Sequence, residues 1–137
     1  MSLIAQGELL TRRLEYFRNH SSNHIFNDAR GLYLSGVLLG QRALRRFAEI
    51  IIRRELPLLI SEDGFLMEGS SHYQFLFTRW ALEIQWFSKI CGDSELERFL
   101  VPINNQLIKS CRFFIVKNND QNLHLDPSAY NNCFYKI

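Results

Sequence analysis

The chain has 137 residues, enough for one domain with a real hydrophobic core and few for two. Its apolar fraction of 47% and charged fraction of 22% are ordinary for a globular protein, and no apolar run reaches the length of a membrane span. A net charge of +2 does not argue for a nucleic-acid partner, and none is expected; Arg nonetheless far outnumbers Lys, and its planar fork suits carboxylate or sulfate oxygens.

The hydrophobic period is helical almost throughout. A first helix is predicted over about residues 2 to 18, with Leu3, Leu10, Leu14 and Phe17 along one side, before "NHSSNH" breaks it. A second, from about His24 to Leu39, carries Ile25, Phe26, Ala29, Leu32, Val37 and Leu38. Apolar on most sides, it should be covered by neighbours on more than one face. Gly40 stops it. The third, about 41 to 59, buries Leu44, Phe47, Ala48, Ile51 and Ile52, leaves Arg42, Arg45, Arg46 and Arg53 mostly outside, and is loosened by Pro57.

"SEDGFLMEGS" is a turn with a short extended piece. The fourth helix, about 70 to 90, repeats Tyr73, Leu76, Phe77, Trp80, Ile84 and Phe87, and Gly92 ends it. Ser94 and Glu97 fit a capping box for the fifth, whose stripe runs from Leu96 to Phe114, with Pro102 as a kink or a true start. Beyond Lys117 the period is lost and the chain reads as loop, ending in "CFYKI" as a short strand or a fresh beginning. Cys91, Cys111 and Cys133 show no metal-ligand spacing and no even count, so they are expected to be free, mostly core-facing thiols. The whole chain, 1–137, is therefore expected to be a single all-α domain of antiparallel helix pairs, with no metal and no cofactor. Such pairs stack into bundles, solenoids or closed toroids.

Two polar clusters open apolar helices: "SSNH" before the second and "EDGFLMEGSSHYQF" before the fourth. Helix N-termini attract anions through free N–H groups and the positive dipole end. If those two helices lie side by side in the same direction, Asn23, His24, Glu68, His72 and Tyr73 share a cleft at one rim. Taken singly, each has a plainer reading. Asn23 is a helix cap, His24 a half-buried residue holding the loop, Glu68 a loop brace, and Tyr73 a core aromatic on its helix's apolar stripe.

Taken together, "SNH" opening an apolar helix with Gly36 near its end, then "DG…E.S..Y" opening another, resemble the helical domain of the heparinase II/III polysaccharide lyases, most closely the heparinase III type. The likeness runs through residues 20 to 90. It implies part of an α/α toroid, here without the β-sandwich that follows in the family. It also implies β-elimination on an acidic, uronate-containing polysaccharide, and a periplasmic or secreted setting. Asn23 would neutralise the uronate carboxylate and Tyr73 would carry the proton. His24, Glu68, His72 and Arg79 are the candidate substrate contacts. The family's further His matches no residue of this chain, and Asn27 stands where a His–Glu variant of the first motif has its Glu.

The chemistry fits the residue types. Removing the C5 proton of a uronate adds charge to an existing carboxylate, so a neutral donor such as Asn stabilises the transition state as an oxyanion hole does. A Tyr phenol of lowered pKa takes that proton and returns it to the departing O4; Arg79 or His72 are cations available to lower it. A helical segment alone is expected to lack full activity and to self-associate through uncovered helix faces. Two rivals stand beside this reading. One is a non-catalytic module that only binds glycan. The other is a protein-interaction module whose motifs are merely caps and which exposes a sizeable apolar patch.

Overall fold

The computed structural model describes residues 3–12, 14, 23–67, 69–117 and 123–125. The helical periods become α1 (Leu3–Arg12), α2 (Asn23–Leu38), α3 (Arg42–Leu59), α4 (Ser71–Ile90) and α5 (Ser94–Cys111), with a single 3-10 turn over Arg112–Phe114. The expectation of an all-α chain of packed helices is met to that extent.

Several boundaries differ from the sequence-based expectation. α1 stops at Arg12 and Leu14 lies outside it, packed at the core's edge; the rest of that expected helix falls outside the described residues. The cap of α5 is Asp93, whose carboxylate accepts from the Leu96 N–H at 3.3 Å, so Ser94 is the first helical residue rather than the cap. Asp adds negative charge at the dipole's positive end, as Glu95 and Glu97 do in the first turn. Pro57 and Pro102 both sit inside their helices without ending them. The stretch after the 3-10 turn is not all loop: β1 (Ile115–Lys117) pairs antiparallel with β2 (Leu123–Leu125), Ile115 opposite Leu125. "CFYKI", Cys133 included, lies outside the described residues.

α2 and α3 form one antiparallel hairpin, turning through Leu39–Gln41. Their backbones touch at Gly36, where a Cβ would lie 2.7 Å from the Arg45 nitrogen, a distance no larger residue accommodates. α4 and α5 form the second hairpin. Thr78 Oγ1 lies 3.3 Å from Cys111 Sγ, and Asn104 Nδ2 donates to the Ala81 carbonyl at 3.2 Å and to Gln85 Oε1 at 2.6 Å. Positions rising along α4 thus meet positions falling along α5.

The hairpins join through α2 and α4, which run the same way. Phe26 stacks on Phe77 with ring centroids 4.4 Å apart, Arg30 pairs with Glu83, and Tyr33 donates to Asp93 just past the end of α4. The three pairs rise together along α2 and along α4 and its end, so the N-termini of α2 and α4 lie at one end. The core fills the space between the hairpins: Ile25, Phe26, Leu32 and Tyr33 from α2, Ile52 and Leu56 from α3, Phe77 and Ile84 from α4, Leu100 and Leu107 from α5.

The α3–α4 connection folds back on this layer. An isolated bridge pairs Ile60 with Leu66, and Gln74 Nε2 donates to the Gly64 carbonyl at 3.0 Å while its Oε1 accepts from the Leu66 N–H at 2.7 Å. Ser110 of α5 reaches the Asp63 carbonyl at 2.7 Å. Gly64 has a φ of 82°, and a Cβ there would sit 2.6 Å from the Gln106 carbonyl oxygen. Gly64→Ala is therefore expected to cost about 3 kcal/mol or more, from left-handed strain plus a backbone collision. Urea denaturation tests it; an unchanged midpoint would mean that the loop is not anchored on α5.

Candidate functional site

At 3.6 residues per turn, Asn23 stands one turn before Phe26 on the side of α2 that faces α4, and Tyr73 stands one turn before Phe77 on the side of α4 that faces α2. The stacked Phe26–Phe77 pair is fully buried and forms the floor beneath both. Asn23 is 6% exposed and Tyr73 39%. The expectation that Tyr73, taken alone, is a core aromatic is therefore corrected. The buried stripe of α4 runs through Gln74, Phe77, Thr78, Ala81, Ile84 and Ser88, and leaves Tyr73 at its margin.

Local sequence fixes that margin. Ser70, in extended conformation, caps α4, and its Oγ accepts from the Tyr73 N–H at 3.3 Å. The next residue, Gln74, is buried and bonded to the 64–66 loop. Tyr73 is thus held by its backbone while its ring stays partly in solvent. His72 lies beside it, ring centroids 5.8 Å apart in an edge-on arrangement.

The other predicted residues divide. His24 is exposed on the face of α2 turned away from α4, so it does not join Asn23 and Tyr73 on the seam. Glu68 lies outside the described residues. Arg79 stands six residues beyond Tyr73, a rise of about 9 Å, and its Nε pairs with Glu83 Oε1 at 3.0 Å. Glu83 also holds Arg30, whose guanidinium lies 5.4 Å over the Trp80 ring. Arg79 therefore belongs to a surface network on the flank of α4 rather than to the phenol.

Glu55 was missed by sequence reasoning. Its side chain is buried near the end of α3, at the same rim as Asn23, with Arg54 Nε 2.6 Å from its carboxylate. A signal existed: Glu55 falls on the stripe set by Ile51 and Leu59, four residues away on each side. Gln74 carried a similar signal between Phe77 and the turn. Among the described residues no group of His, Cys, Asp and Glu gathers as metal ligands, and no helix is long and apolar enough to cross a membrane. Cys91 is half-buried and Cys111 buried, and neither is in a disulfide. No family model, no curated protein and no solved structure matches this chain.

The opposite end of the α2–α4 seam is closed by Tyr33. Its hydroxyl donates to Asp93 Oδ2 at 3.1 Å and lies 3.6 Å from Cys91 Sγ. Burial, then the neighbouring thiol and carboxylate, push the phenol well above the ordinary tyrosine range. The folded protein keeps this phenol neutral where an unfolded tyrosine ionises, so its stabilisation is complete below about pH 10 and is lost as pH rises above that value. Alkaline titration should show Tyr33 ionising only with unfolding, and Tyr33→Phe should flatten the loss of stability above that pH. Equal alkaline slopes in both proteins would overturn this assignment.

Proposed function

We propose that this chain is the helical part of a polysaccharide lyase acting on a uronate-containing acidic glycan, an arc of an α/α toroid with its site at the α2–α4 rim. One observation carries the reading. α2 and α4 run in the same direction side by side, so the two polar clusters open at one end, and Asn23 and Tyr73 both face the seam. The motif likeness and the abundance of Arg add to it.

In this reading the uronate carboxylate accepts from the Asn23 side-chain N–H, which stabilises the charge that develops as C5 loses its proton. Tyr73, as phenolate, takes that proton. The C4–O4 bond then breaks, the electron pair left at C5 forms the C4–C5 double bond, and the Tyr73 hydroxyl returns its proton to the departing O4.

The test pairs binding with chemistry. Uronate polysaccharides titrated into the wild-type chain should bind, Asn23→Asp should weaken binding about tenfold or more by placing like charges together, and Tyr73→Phe should leave it nearly unchanged. The ultraviolet absorbance of unsaturated product, where it forms, should fall about a hundredfold or more in Tyr73→Phe. Binding without unsaturated product from either protein would make this a glycan-binding module. No binding of any uronate polymer by folded wild type would sink both.

A further inference from the structure

The α4–α5 hairpin has an outer face, turned away from α2 and α3. Facing directions follow from the contacts already described. On α4, Phe77 and Trp80 look toward α2, and Thr78, Ala81 and Gln85 look toward α5. The remaining side carries Leu82, Trp86 and Ile90. On α5, Asn104 and Cys111 look toward α4, and Phe99 looks toward α3, where Arg53 lies 5.1 Å over its ring. The side opposite α3 carries Val101 and Ile108. All five apolar side chains are exposed, Trp86 most of all at 61%.

We infer that a second copy of this chain docks on that face, giving a two-fold dimer built from two α4–α5 hairpins. Together the five side chains present roughly 400 Å² of apolar surface, at the upper range of patches on monomers. An interface is about 55–65% apolar, so this patch corresponds to a contact of roughly 700 Å² per partner, close to the standard size of about 800 Å². In a two-fold contact the same patch meets itself, and placing two such hairpins face to face forms a four-helix layer. Trp86 lies in the middle of the patch, where an interface anchor contributes most. A second exposed apolar stripe among the described residues, Phe47, Ile50 and Leu58 on α3, is carried by one helix only and presents less area. The inference does not rest on the glycan reading, because the Asn23–Tyr73 rim is at the helix ends and this face is on the flank.

Sedimentation velocity across the micromolar range decides it. Wild type should approach twice 16.2 kDa. Trp86→Glu should weaken dimerisation about a hundredfold or more, Val101→Glu on the partner helix should do likewise, and Ile50→Glu on α3 should leave it unchanged. Circular dichroism checks that each variant keeps its helices. A wild type that stays monomeric up to about 100 μM, or a dimer broken by Ile50→Glu and not by Trp86→Glu, would overturn the proposal.

Discussion

The side-chain amide of Gln74 holds the α3–α4 connection against the helical layer, and much of the rim depends on it. A buried amide without partners is costly, about 1–3 kcal/mol per unmade bond. Here both ends are used, the NH₂ on the Gly64 carbonyl and the oxygen on the Leu66 N–H. That exchange orders a loop with little apolar surface of its own. Ser110 takes the Asp63 carbonyl from the other side, and Gly64 lets the loop come into backbone contact with α5. The loop in turn sets where α4 begins, and so where Tyr73 stands.

The seam between α2 and α4 has an apolar middle and polar ends. Its centre, Phe26 on Phe77, supplies the burial that keeps two parallel helices together. Parallel neighbours have like dipole ends side by side, a small mutual repulsion. One end is closed: Asp93 accepts from Tyr33 and from the first turn of α5 with separate carboxylate oxygens. The other end is the rim, where polar side chains meet solvent. The half-buried Arg30–Glu83 pair between them contributes modestly, about 1 kcal/mol or less, and serves more to fix the register of one helix on the other.

Much of the helical layout was legible because amphipathic periods are local. The apolar stripe of α5 came through, and so did Leu44, Ala48, Ile51 and Ile52 of α3, but Phe47, expected inside, is 36% exposed, and the buried stripe runs on through Glu55, Leu56 and Leu59; Gly40 and Gly92 marked their turns. What was lost needed information from elsewhere in the fold. The stripe of α4 is rotated toward Gln74 and Thr78, because these polar residues find partners in the 64–66 loop and in Cys111, contacts 8 to 37 residues away. A scale that counts only apolar residues assigns their place to Tyr73 and Leu76. Asp93 was passed over for Ser94 because both are good caps, and only the turn geometry distinguishes them. The three-residue strands are too short to alternate visibly. As for the rim, helix alternation foretold that α2 and α4 share a direction, but not their rotation. His24 and Arg79 were included by nearness in sequence, and each points elsewhere around its helix.

Tyr73 and Gln74 divide two tasks between adjacent residues. About 100° of helical rotation separates them, so one side chain can be buried and fully bonded while the next reaches the seam's open margin. A residue asked to do both would fail at one: a buried phenol is held neutral, as Tyr33 is, and an exposed amide orders nothing. Ser70 ties the Tyr73 backbone from outside the helix, and Gln74 ties the loop from within. The Tyr73 hydroxyl makes no hydrogen bond to another of the described residues, which is all that the proton transfer proposed above would require of the fold.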